Sequence, residues 1–160
     1  MSRDTDRKIA RLIATGKTKR EIARILSKDM EPDDYERFLR NHAELSRKES
    51  YYGLNLLLLV ILAAVTFYKL GEILGPVFDR GVSNVFIVAW GLLVPAVNLG
   101  ILWYVYRYHR LGYLFLFILS ILSLIRPENH NLMGLVQTIP LIALSGFLYL
   151  KLFPKGGKDF

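Results

Sequence analysis

At 160 residues the chain offers room for one domain, or for a small soluble part attached to a membrane bundle. Hydrophobic residues make up 52% of it, the mean hydropathy is +0.30 and the net charge is +7, and the absence of cysteine excludes disulfides, thiolate metal sites and a cysteine nucleophile. Charge and apolarity are segregated, with two-thirds of the charged side chains in residues 1–50 and long apolar runs beyond, where a soluble core would show period-2 or period-3.6 alternation.

These features predict an all-α integral membrane protein, with four transmembrane helices in an antiparallel bundle preceded by a small cytoplasmic three-helix head. Residues 1–50 form the head, 51–153 the bundle and 154–160 a basic cytoplasmic tail. The first head helix is expected over about 5–14, with Ile9, Leu12 and Ile13 on one face and Gly16 as its stop. Thr18 and Glu21 then have capping-box spacing, each able to satisfy a free amide near the start of a helix over about 19–27. Pro32 opens a third helix over about 32–48. Its first turn carries Asp33, Asp34 and Glu36, where negative charge is favoured. Tyr35, Phe38, Leu39, His42 and Leu45 mark an apolar stripe on it.

The stretch "RLIATGKTKREIARIL", residues 11–26, resembles the scaffold half of LuxR-type helix-turn-helix domains, in which an apolar helix and a Gly-Lys-Ser/Thr turn precede a Glu-Ile-Ala helix. The resemblance implies a helical scaffold over about a tenth of the chain, and in that family the next helix reads DNA. Here that helix begins with Glu31, Asp33, Asp34 and Glu36, which would face phosphates where basic or amide side chains are needed. The residues therefore argue against nucleic acid as a partner. Arg37, Arg40, Arg47 and Lys48 lie just before the first apolar run, where basic residues gain energy from anionic lipid headgroups.

Crossing the roughly 30 Å hydrocarbon layer takes about 20 helical residues. Four spans are expected over about 53–74, 85–106, 111–125 and 132–153. The third is short and needs a thinned bilayer or burial among its neighbours. The brief links "RYHR" and "RPENHN" make spans two, three and four consecutive hairpins. Lysine and arginine counts place the N-terminus, the "RYHR" link and the tail in the cytoplasm, leaving Lys69, Arg80 and Arg126 outside. A bacterial inner membrane is the expected location, because the helix-turn-helix motif is of bacterial type.

Polar groups within the spans are few. Asn98 lies mid-span after Pro95, Ser120 and Ser123 lie on the third span, and Gln137 and Thr138 precede Pro140 on the fourth. Reflection through the hairpin puts Asn98 level with Ser120, which predicts a hydrogen bond between them, since an amide facing lipid would be unsatisfied. Asn98, Ser120 and Gln137 are the expected polar contacts of the bundle, and Pro95 and Pro140 its expected kinks. The competing reading makes the neighbourhood of Asn98, Gln137 and Pro140 a polar site for a lipid headgroup or small solute. Ala96 and Gly100 form a small-xxx-small pair.

No nucleophile–base pair, phosphate-binding loop or metal-ligand cluster is legible, so no enzyme, cofactor or metal is expected. The expected function is a non-catalytic subunit, scaffold or assembly factor whose spans pack against other membrane subunits or its own copies. Its head would recruit a cytoplasmic protein through Tyr35, Phe38, Leu39 and His42. The alternatives are a membrane-tethered helix-turn-helix regulator and a small oligomeric channel or transporter.

Overall fold

The computed structural model describes residues 9, 11–28, 31–80, 85–125 and 131–153, with the backbone alone at 32–34, 37–38, 78–80 and 85–87. Every regular element among them is helical. A turn over residues 11–14 (α1) is followed by α2 Lys19–Leu26, α3 Pro32–Asn41, α4 Leu45–Ser50, α5 Tyr52–Arg80, α6 Val85–Tyr106, α7 Arg110–Ser123 and α8 Leu132–Leu152.

The N-terminal helices build a core of their own. Ile9, Ile13, Ile22, Leu26, Tyr35 and Leu39 bury against one another. Local signals set the frame. Gly16 adopts a left-handed φ of 77° after α1, a conformation glycine takes without strain. Thr18 caps α2 as a full capping box: its Oγ1 accepts from the Glu21 amide at 3.3 Å, and its amide donates to Glu21 Oε2 at 2.8 Å. Those bonds to Thr18 also hold the exposed Glu21 carboxyl below its ordinary pKa.

The helix expected over 32–48 is two helices. It breaks at His42, whose backbone is extended (φ −115°, ψ 140°) and pairs in an antiparallel bridge with His109 of the α6–α7 link. Ala43 is thereby fully buried in the core of the long helices. A continuous helix would forfeit both the pairing and that burial, so tertiary contact overrides helical propensity here.

The long helices form a square. α5 packs on α6 and α8, and α7 packs on the same two. Three are long and apolar enough to cross a membrane, over Tyr52–Val77, Val88–Tyr106 and Leu132–Leu152. α5 continues to Arg80 through Pro76, beyond the end expected near Leu74. Proline removes one intrahelical hydrogen bond, and the helix absorbs that loss near its end. α7 has 14 residues, about 21 Å, and Leu124 and Ile125 form a turn instead of extending it.

Glycines set the closest approaches. A Cβ on Gly112 would lie 2.8 Å from the Val105 nitrogen, so α7 rests directly on the backbone of α6. A Cβ on Gly91 would lie 3.2 Å from Ile73, and one on Gly146 would lie 2.9 Å from Phe117. Gly53, Gly71, Gly75 and Gly100 have open space where a Cβ would project.

Candidate functional site

The square has two unlike ends. At the near end, where α4, the α6–α7 link and the end of α8 meet, Leu58, Val105, Tyr113, Leu148 and Leu152 are fully buried. The polar groups there have partners. Tyr113 donates to Asn55 Oδ1 at 2.6 Å across the α5–α7 diagonal, in a buried site. An asparagine in the first turn of an apolar helix is the only sequence signal for that contact, and the aromatic partner is not legible from it.

The near end also seats the N-terminal helices. The His42 and His109 rings meet edge to face at 5.0 Å. His109 caps α7, its Nδ1 accepting from the Leu111 amide at 3.3 Å, and Tyr108 before it takes a φ of 54° to turn the link. Glu44 binds Arg47 at 3.4 Å and accepts from the Lys19 amide at 3.4 Å. Arg47 also donates to the Lys151 carbonyl at 3.1 Å, Arg110 donates to Tyr149 Oη at 2.8 Å, and Lys48 lies 5.5 Å from the centre of the Tyr108 ring. Burial brings Lys19 down to about 8; Glu44 opposes that shift, while Arg47, Arg110 and Lys48 reinforce it. Burial also lowers Lys48 and His109 below their ordinary values.

The far half is open inside. Between the four helices lies a partly open cavity of about 740 Å³, with Trp90, Leu93 and Leu122 of its lining exposed. α5 supplies Leu62, Val65, Lys69 and Ile73, and α6 supplies Trp90, Gly91 and Asn98 among others. Leu116, Ser120 and Ser123 come from α7, and Gln137, Thr138 and Leu141 from α8. The wall facing the packed end carries Leu62, Asn98, Leu116 and Leu141, while Ile73, Trp90 and Ser123 lie toward the far end. Lys69, the charged residue on this wall, binds Glu72 at 2.7 Å.

No protein-family model, no curated protein and no solved structure matches the chain. The geometry therefore carries the functional reading by itself.

The residues singled out from sequence fall in different parts of the fold. Asn98, Ser120 and Gln137 come together on the cavity wall. The expected Asn98–Ser120 hydrogen bond is not made among the described residues; both side chains line the cavity instead. Pro95 is buried and Pro140 half-buried, each within a continuous helix. Pro95 leaves the Gly91 carbonyl without its usual helical donor, and Gly91 is on the wall.

The residues expected to bind a partner are placed otherwise. Tyr35 and Leu39 lie in the N-terminal core with 6% and 0% exposure, and His42 packs on His109. They fill the small core because three short helices have few other apolar side chains to bury. Among the described residues of 9–50 there is no exposed large hydrophobic. Of the basic set, Arg47 and Lys48 sit at the near end of the bundle and Arg40 is exposed on α3. The side chains of Arg37 and Phe38, residues 5–8, the 126–130 link with His130, and the tail 154–160 lie outside the described residues. Among the described residues, no group of three or more His, Cys, Asp or Glu side chains could hold a metal.

Proposed function

We propose that the chain is a non-catalytic, four-span membrane protein serving as a subunit or scaffold of a larger membrane assembly. α7 is the third of the four spans, its short length compensated by packing against α6 and α8. Both termini lie in the cytoplasm, and a bacterial inner membrane is the location. Arg47, Lys48, Arg107, Arg110 and Lys151 all gather at the near end, which supports that orientation by the positive-inside rule and gives anionic headgroups a surface to meet.

One observation carries the subunit reading. The chain's own helix packing uses Gly91, Gly112 and Gly146, yet leaves Gly71 and Gly75 on α5, and Ala96 and Gly100 on α6, outside any close helix contact. In hydrocarbon, helices associate by close packing of small residues, since lipid tails are as apolar as leucine. Two unused small-xxx-small pairs on the outer surface suit other membrane helices. The partner surface thereby moves from the N-terminal helices to the lipid-facing sides of α5 and α6.

Gentle extraction followed by native mass spectrometry tests the proposal. The expected result is a complex of fixed stoichiometry that dissociates in Gly71→Leu and Gly100→Leu variants. A lone chain in the gentlest extraction overturns it.

A further inference from the structure

Five buried polar side chains lie in the described helices, and they divide cleanly. Asn55 bonds Tyr113, Thr66 donates to the Leu62 carbonyl, and Ser145 donates to the Leu141 carbonyl. Ser120 and Thr138, with 6% and 7% exposure, have no side-chain hydrogen bond among the described residues. Both line the cavity. Asn98 and Gln137, half-buried on the same wall, likewise have none. Four neutral hydrogen-bonding groups from three helices thus face one space unpaired.

Such groups are costly to leave unsatisfied in the membrane core. A cavity of about 740 Å³ is within the size range of ligand sites, roughly 300–1,000 Å³. Water alone suits it poorly, because each buried water needs about 2–4 polar partners and Leu62, Val65, Leu116, Leu119 and Leu141 make much of the wall apolar. An ion suits it no better, because Lys69 is already engaged by Glu72. We infer that the cavity binds a neutral amphiphile, whose hydroxyl or carbonyl oxygens bond Asn98, Ser120, Gln137 and Thr138 while its apolar part lies along the leucine and valine side chains of the same wall. A glyceride and a quinone share that chemistry. The inference needs the chain to lie in a bilayer and does not depend on its being a subunit.

The two tryptophans provide the test, because Trp90 lines the cavity while Trp103 stacks under Arg107 at the near end. The full chain carrying Trp103→Phe is placed in phosphatidylcholine nanodiscs and titrated with brominated monoolein, decylbenzoquinone or brominated oleate. Quenching of Trp90 reports binding, and a Trp90→Phe chain, with Trp103 alone, reports partition into the bilayer. One of the neutral amphiphiles should saturate Trp90 quenching at one molecule per chain, and which one does so identifies the source. Oleate should bind about tenfold more weakly. The pair Ser120→Ala and Thr138→Val should cost about tenfold, as expected for two neutral hydrogen bonds, and Asn98→Leu should cost at least as much. The Ser120 and Thr138 changes keep the test open if Asn98→Leu does not fold. Unsaturable quenching equal at both tryptophans, as a water-filled cavity would give, overturns the inference. So does saturable binding that is indifferent to charge or to these substitutions.

Discussion

The two halves of the bundle are made of the same apolar helices and solve opposite problems. The near half is dense, with Gly112 letting α7 touch the α6 backbone and Tyr113 reaching Asn55 across the diagonal. The far half keeps its helices around a space and leaves Ser120 and Thr138 unpaired beside it. Buried polar groups in native proteins are nearly always satisfied. A satisfied half beside an unsatisfied one therefore marks where the molecule holds itself together and where it meets something else.

The comparison breaks most readily at Gly112. Alanine there has no room against the α6 backbone, so Gly112→Ala should destabilise by about 1–3 kcal/mol, as overpacking does. Alanine at Gly71 or Gly100, where space is open, should leave the isolated chain's stability nearly unchanged. Thermal unfolding in one detergent compares all three, and equal effects would mean that the near end is not closely packed.

A smaller loss is expected from Tyr113→Phe, which strands the buried Asn55 carbonyl oxygen and should cost about 1–2 kcal/mol. Adding Asn55→Leu should recover part of that, because the stranded Asn55 oxygen is then gone, although Tyr108 loses its own contact with Asn55. Additive losses in the double variant would show that the contact across the diagonal contributes nothing.

The smallest effect concerns the seat of the N-terminal helices. Lys19 drops from 10.5 to about 8 on folding, so its protonation costs stability that accumulates as pH falls from 10.5 to 8 and stays constant below. Burial of His109 lowers it from 6.5, adding a second cost as pH falls below that value. The N-terminal helices should therefore loosen on acidification, with hydrogen-exchange protection around His42 falling a few-fold between pH 9 and pH 5. Lys19→Met should remove the alkaline part of that dependence and leave the acidic part. Protection that rises on acidification would contradict this account of the junction.

Much of the architecture was legible in the sequence because its signals are local. Apolar runs longer than a soluble helix needs mark α5, α6 and α8, the Thr18–Glu21 spacing marks the start of α2, and Pro32 marks that of α3. Asn98, Ser120 and Gln137 were visible as the few polar groups in apolar runs, and helical reflection brought the first two to one depth. Whether they would bond each other or share a space depends on how far apart α6, α7 and α8 stand, which no local pattern encodes.

The sequence by itself determined the helical, membrane-type character of the chain and the segregation of its charge, since both follow from the free energy of moving side chains and backbone amides out of water. Only the tertiary structure decided that the third N-terminal helix breaks at His42, that Tyr35 and Leu39 turn inward, and that the bundle closes at one end and opens at the other. Those outcomes depend on packing between segments distant in sequence, where a glycine against a neighbouring backbone or a bridge to His109 outweighs what nearby residues prefer.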